Sequence, residues 1–315
     1  MKQKHSGNNP LFLFLLTALV AMGLNRNSVA QYPQDGWTGI TTIPYTISSS
    51  GSYYLTGTAG SATSGITITA DRVTLDLNGK TLAGGTGTGI SAGSTATDIV
   101  IRNGVIWNWD GDGIKLDGEN CVVSDVRVTD AATGGMAVGR NGSMLRCLVY
   151  DTDGIAFEFQ GESGQAIECG AALCGTGFAT TVSGSSDIGH SFTTCVVYFA
   201  STAGFDLQNN NTVENCQTSL GGAFEMGNGN VVTNCSSKGS DYGFETETGC
   251  VLQNCTTEAN SDSGFFLGSS STLLNCNSRD NSVYGFNVGA ASTFQNCAAY
   301  LNGDHGFRAG NTSRL

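Results

Sequence analysis

Apolar and polar residues alternate in short stretches along the second half of the chain, and the pattern recurs about every 21 residues. A phenylalanine series and a cysteine series mark the repeat. The first is Phe205, Phe224, Phe244, Phe265, Phe286 and Phe307, and the second is Cys216, Cys235, Cys255, Cys276 and Cys297. Each Cys follows its Phe by 11 residues, whereas the return to the next Phe takes 8 to 10. Two series locked together in this way indicate a structural repeat.

A repeat of this length with short apolar stretches predicts one coil of a parallel β-helix, because three short strands and their turns use up about 21 residues. Coils stack at about 4.8 Å, so equivalent side chains form ladders along the axis. We expect the Phe and Cys series to point inward. The ladder cysteines continue backwards at Cys195, Cys169 and Cys147, and roughly eleven coils are expected from near Thr67 onward. The prediction is an all-β, single-domain solenoid.

The residue before each ladder Cys is also repeated. It is Asn215, Asn234, Asn254, Asn275 and Asn296. Asn adopts the left-handed backbone conformation more readily than most residues, so this position predicts a tight bend between two strands. The side-chain amides can then hydrogen-bond from coil to coil.

The N-terminus has the features of an export signal. Lys2 and Lys4 precede the apolar run Leu11 to Leu24, and Ser28-Val29-Ala30 is a small-residue cleavage site. We therefore predict a signal peptide over residues 1–30, cleaved near Ala30, an N-terminal cap over 31–60, and repeats over 61–315. A retained anchor is the alternative. A secreted or cell-surface protein without a membrane span in the mature chain is expected.

The net charge, the glycine content and the positions of the prolines exclude several classes of protein and partner. The formal charge is −12, and it becomes −15 without residues 1–30, which disfavours nucleic acid as a partner. Glycine makes up 45 of 315 residues without a three-residue period, which excludes collagen. All three prolines lie within the first 44 positions, as expected where every central strand needs its backbone donors.

The repeated Gly-Phe and Asn-Cys pairs resemble those of right-handed parallel β-helix proteins of the pectin-lyase-like superfamily, bacterial secreted type. The carriers include Gly243-Phe244, Gly264-Phe265 and the segment Val73 to Gly79. The resemblance covers most of residues 40–315. It implies the fold and leaves the activity open, since this fold carries lyases, hydrolases, epimerases and non-catalytic scaffolds.

The eleven cysteines have two possible states. Neighbouring ladder positions lie within the Cα range of a disulfide, and an exported chain can form them. A column of reduced thiols acting as small hydrophobic groups is the other state, and the stacked geometry favours it.

Two outward rows hold the candidate chemistry. Beside the inward Phe, the outward row begins with Asp206, Glu225 and Glu245, about 5 Å apart, as in a retaining glycosidase pair. The alternatives are a cation site and a solvated acidic face.

Three residues after the Cys position, a second row carries aromatic residues that can stack on sugars. These are Trp107, Tyr150, Tyr198 and Tyr300, with Trp109 beside the first. Alternatively, the Trp pair packs under the cap or a long turn.

Two further motifs are weaker. Asp151-Thr152-Asp153-Gly154-Ile155 resembles a catalytic motif of polygalacturonases, which would make Asp153 an acid catalyst. The next coil, Cys174 to Gly177, lacks that family's paired aspartates, so Asp153 is also explained as a turn residue.

In a Gly-rich stretch, four carboxylates alternate in a way that can bind calcium. They are Asp110, Asp112, Asp117 and Glu119.

These patterns favour a non-catalytic β-helix that contacts a polysaccharide or a cell-surface glycan. The first alternative is a polysaccharide lyase, glycoside hydrolase or epimerase, and the second is a purely structural solenoid. Calcium is the one cofactor that the acidic positions suggest. Asn311 to Leu315 shows no recognisable cap, so either the sequence is a fragment or another subunit covers that end, and end-to-end self-association is the expectation in the second case.

Overall fold

The computed structural model describes residues 36–181 and 189–314, and within these ranges it consists of 34 β-strands and turns. The predicted signal peptide and its cleavage site lie outside the described residues. In the part that is described, no helix has the length and apolarity needed to cross a membrane.

The chain winds through three parallel sheets, always in the order sheet 1, sheet 2, sheet 3. Sheet 1 contains Tyr45–Ile47, Ile66–Ile68, Ile90–Ala92, Ile114–Leu116, Met136–Val138, Ile155–Phe159, Phe224–Met226, Phe244–Thr246, Phe265–Leu267, Phe286–Val288 and Phe307–Ala309. Sheet 2 contains Thr38–Ile40, Gly51–Leu55, Val73–Asp76, Ser143–Leu145, Gln165–Ile167, Ser191–Thr193, Thr212–Glu214, Val231–Thr233, Val251–Gln253, Thr272–Leu274 and Thr293–Gln295. Sheet 3 contains Ala59–Gly60, Thr81–Gly85, Leu148–Thr152, Gln217–Ser219, Ser236–Lys238, Thr256–Glu258, Asn277–Arg279 and Ala298–Tyr300.

Four long strands bend and belong to two sheets each. Val100–Trp109 and Val122–Ala131 run from sheet 2 into sheet 3, and Gly170–Thr180 and Val196–Leu207 run from sheet 3 into sheet 1. The result is a parallel β-helix of about twelve coils, which confirms the predicted fold class. The described part of residues 31–60 contributes strands that pair with the coils above them.

A left-handed residue forms the bend between sheet 2 and sheet 3 in each coil from Asn103 to Asn296. The φ angles at this position lie between 53° and 61° for Asn103, Asp125, Arg146, Glu168, Thr194, Asn215, Asn234, Asn254, Asn275 and Asn296. From Asn215 to Asn296 the side-chain amides are linked coil to coil by N–H···O bonds of 2.9–3.2 Å. The predicted bend and its amide ladder are both confirmed.

A column of stacked phenyl rings fills the core beneath sheet 1. Neighbouring rings have centroids 4.6–5.2 Å apart and planes within 11° of parallel. The column begins at Phe157 and Phe178, two coils before the predicted series, and Met136, Ile114 and Ile90 occupy the lower positions. Offset parallel rings at this distance add attraction to the area that they bury.

Eight of the eleven cysteines form a second column at the sheet 2 to sheet 3 bend, and Cys121, Cys174 and Cys250 lie outside it. All eleven are free thiols, and every one except the partly exposed Cys297 is buried. Ladder thiols donate to backbone carbonyls, as Cys255 Sγ does to Gln253 O at 3.4 Å. Burial raises the pKa of Cys147 and Cys195, so these groups are neutral packing thiols.

The glycine of the Gly-Phe pair is needed because the next coil approaches closely. At Gly243 a Cβ atom would lie 2.5 Å from the backbone oxygen of Gly264. The pair therefore repeats because the inward turn of the chain before each Phe leaves no room for a side chain.

Candidate functional site

Three carboxylates lie side by side on the outward face of sheet 1. Asp206 pairs in register with Glu225, and Glu225 with Glu245, so they occupy successive coils. Asp206 is exposed, and the two glutamates are half-buried. Restricted access to water raises the pKa of all three carboxyls, and the charges of Asp206 and Glu245 raise that of Glu225 further.

Aromatic and basic groups continue this face above the carboxylates. Phe266, Asn287 and Arg308 follow Glu245 in register. The Tyr242 ring lies 5.2 Å from that of Phe266, and the Arg308 guanidinium lies 5.3 Å above the Tyr284 ring. Three coils separate Arg308 from Glu245, about 14 Å at one strand spacing each, so they do not share a site.

The second row lies on sheet 3 and carries the exposed aromatic residues. In register, successive coils present Trp107, Thr129, Tyr150, Ala172 and Tyr198. The aromatic side chains thus occupy alternate coils and the small ones the coils between. Trp107 is 50% exposed, and Tyr150 and Tyr198 are half-buried. The row is straight and rigid because every member belongs to a continuous ladder of paired strands.

Trp109 does not belong to this row, and the expectation that it faces outward is wrong. Its side chain is 1% exposed, and its indole Nε1–H donates to Leu82 O at 3.2 Å. Asn108 adopts a φ of 59°, which interrupts the strand alternation and turns Trp109 inward. The same left-handed corner recurs along sheet 3, at Asp130, Asp151, Leu173, Phe199, Leu220, Ala259, Asp280 and Leu301.

The four carboxylates of the calcium hypothesis are not brought together. Asp110 and Asp112 precede strand Ile114–Leu116, whereas Asp117 and Glu119 follow it. Among residues 36–181 and 189–314, no three His, Cys, Asp or Glu side chains form a group that could hold a metal ion. Desolvation raises the pKa of Asp112, while nearby Lys115 opposes the shift.

Asp153 lies exposed in the turn before strand Ile155–Phe159. The glycine after it is explained by packing, because a Cβ on Gly154 would collide with the backbone oxygen of Thr133. This contact explains why a glycine follows Asp153 in the turn. The catalytic role of Asp153 stays a prediction.

Comparison with known proteins identifies the type of fold. Residues 170–299 match a family model described as a right handed beta helix region. The catalytic domain of a GH87 α-1,3-glucanase in complex with tetrasaccharides is similar in structure, with 11% identity, 80% of this chain and 63% of that chain covered, and a TM-score of 0.57. The chain has the right-handed parallel β-helix fold.

The receptor-binding tailspike of bacteriophage Det7 is also similar to this β-helix, with 13% identity over 88% of this chain and 75% of that chain, and a TM-score of 0.58. A GH87 α-1,3-glucanase domain in complex with nigerose is similar as well, with 13% identity, 87% of this chain and 61% of that chain covered, and a TM-score of 0.55. The β-helix thus spans about three-fifths of the glucanase domains. No curated protein matches its sequence.

The charged rows of this β-helix predict opposite pH effects for two glutamates. The pKa of Glu225 lies above its ordinary value of 4.5, so ionising it costs stability as the pH rises through that window. The pKa of Glu258 lies below 4.5 because Arg279 at 2.7 Å and Lys238 at 3.2 Å favour the carboxylate. The stability that Glu258 contributes is present above pH 4.5 and is lost as the pH falls through the lowered pKa of this group in the folded protein.

We therefore expect Glu225→Gln to raise the melting temperature at pH 7 and to have little effect below pH 4. Glu258→Gln is the matched control on sheet 3 and should lower the melting temperature at pH 7 while losing its effect in acid. Thermal unfolding of the two variants across this pH range is the measurement. Shifts of the same sign at pH 7 would contradict the assigned electrostatics.

Proposed function

We propose that this chain binds a polysaccharide along the outward face of sheet 3 without cleaving it. The observation that carries the proposal is the row of Trp107, Tyr150 and Tyr198 on alternate coils of one rigid ladder. Flat aromatic faces offer apolar area that fits the C–H faces of sugar rings. Because the strands already hold these side chains in line, little ordering is needed on binding.

The small residues between the aromatic ones support this role. Ala172 is fully buried although it belongs to the outward row, and its neighbours in the row are Tyr150 and Tyr198. Short side chains on these coils leave space between the neighbouring rings. A purely structural solenoid places no such demand on alternate positions.

The similar structures agree with a carbohydrate ligand. The glucanase domains were solved with tetrasaccharides and with nigerose bound. Similarity of fold alone does not transfer function, so the proposal rests on the aromatic row. The basic start and apolar run of the N-terminal 30 residues support an extracellular site of action, where such polymers occur.

Affinity electrophoresis of the protein through gels containing neutral or acidic polysaccharides tests the proposal. We expect retardation in at least one neutral gel. The variant Trp107→Ala/Tyr150→Ala/Tyr198→Ala should weaken it by tenfold or more, on the order of 0.5–1.5 kcal/mol per ring. Tyr242→Ala/Tyr284→Ala, on the sheet 1 side, is the matched control and should migrate like the parent. Equal retardation of the triple variant, or none with any polysaccharide, would refute the proposal.

Cleavage of a polysaccharide at sheet 1 is the second candidate. It is favoured by the raised pKa of Glu225 between two further carboxylates on adjacent coils. Such an arrangement can divide acid and base roles between neighbours. New reducing or unsaturated ends, with or without added calcium, that disappear in Glu225→Gln would establish it over simple binding.

A further inference from the structure

The spacing of the aromatic row carries information about the shape of its ligand. Trp107, Tyr150 and Tyr198 are each two coils apart, which is about 10 Å at the usual strand spacing. The row is parallel to the coil axis and extends about 19 Å from first to last ring. A ligand that uses all three rings must therefore be extended, straight and periodic over two coils.

A glycan chain with equatorial linkages at both ends of each sugar has this periodicity. Each unit is turned by about half a revolution relative to the one before, so every second sugar presents the same face to the same side. Two units of such a chain advance by about the height of two coils. A chain with axial linkages coils instead and does not keep one face toward a straight row.

Charge limits the ligand further. Asp130 and Asp151 lie at the sheet 3 corner, one residue after the row positions Thr129 and Tyr150. Asp151 directly follows Tyr150 in the chain, and its charge, after desolvation, raises the pKa of Tyr150. A polyuronate on the row would place its carboxylates near these aspartates, at a Coulomb cost. The exposed Arg127 lies one residue farther from the row than these aspartates, two positions before Thr129.

We infer that the row recognises a neutral, extended glycan of the β-1,4 type, lying parallel to the coil axis with every second sugar against an aromatic ring. This inference rests on the proposed function and specifies its substrate class. It places sugars one, three and five of a bound chain on Trp107, Tyr150 and Tyr198, in either chain direction. The even-numbered sugars lie at the level of the coils of Thr129 and Ala172 and contribute less.

A length series separates this inference from the general proposal. Calorimetric titrations with cello-oligosaccharides and chito-oligosaccharides of two to six units should show affinity rising in steps. The trimer should bind about five- to tenfold more tightly than the dimer, and the pentamer should exceed the tetramer by a similar factor, because each step adds one ring contact. Tetramer should resemble trimer, and hexamer should resemble pentamer. Malto-oligosaccharides are the axially linked control and should show no steps.

The exchange variant Thr129→Tyr/Tyr150→Thr keeps the composition and moves one ring to the neighbouring coil. It should keep the parent's melting temperature and lose the step at the trimer, whereas a step at the pentamer should remain because sugars one and five still reach Trp107 and Tyr198. A smooth rise with length in the parent, or equal steps for maltose oligomers, would overturn the inference while leaving the aromatic row as a binding site. Loss of all glycan binding would overturn both.

Discussion

Replacing Phe265 by Ala is expected to lower the free energy of unfolding by about 3–5 kcal/mol. The ring is fully buried and lies between Phe244 and Phe286, with centroids 5.2 and 4.7 Å away and nearly parallel planes. Its removal exposes two ring faces to a cavity that the paired strands cannot close. Urea unfolding followed by circular dichroism measures the loss, and hydrogen exchange should increase most in the adjoining coils, because each coil contacts only its neighbours.

Phe266→Ala is the matched control, since the two phenylalanines are adjacent in the chain and differ in direction. Phe266 points outward and is 37% exposed. Its truncation should cost less than about 1 kcal/mol, the range of surface substitutions. Equal losses in the free energy of unfolding for Phe265→Ala and Phe266→Ala would contradict a main stabilising role for the inward phenyl column.

Gly243→Ala should destabilise the protein by about 2–3 kcal/mol, although it adds a single methyl group. The new Cβ would lie 2.5 Å from the backbone oxygen of Gly264 and 2.5 Å from Cγ2 of Thr257. The backbone contact cannot be relieved by a rotamer change, so the ladder between these coils must shift. The loss is measured by the same urea unfolding experiment.

Gly93→Ala serves as its control because a Cβ at Gly93 would meet no atom within 4 Å. We expect a change within about 0.5 kcal/mol, or a slight gain from the stiffer unfolded chain. If Gly243→Ala were equally harmless, the Gly-Phe repeat would not be explained by close approach of the coils.

The repeated residues were sufficient to predict the fold, because ladders are set by local periodicity. Asn234 and Cys235 show why: a left-handed residue followed by an inward thiol fixes the bend, and every coil repeats it. The two lower rings, Phe157 and Phe178, escaped prediction because the coil between Phe178 and Phe205 is 27 residues long and breaks the period. The strand pairing places both rings in the column, which the sequence spacing alone does not indicate.

The candidate sites could be predicted from the sequence less well than the fold. Simple alternation put Trp109 beside Trp107, whereas a left-handed Asn108 turns it inward. A signal was present: Asn or Asp stands at this corner at positions 108, 130 and 151, the same residue types as at the other bend. Similarly, the spacing of Asp112 and Asp117 could not show that a strand separates them.

Quenching of Trp107 fluorescence tests the location of the binding site most directly. The chain has three tryptophans, and Trp37→Phe leaves the exposed Trp107 together with the buried Trp109. Acrylamide should quench the exposed indole in the free protein, and a bound β-1,4 oligosaccharide should reduce quenching toward the level of a buried ring. Binding of the oligosaccharide with unchanged quenching would place the ligand elsewhere and contradict the assignment of sheet 3 as the glycan-binding face.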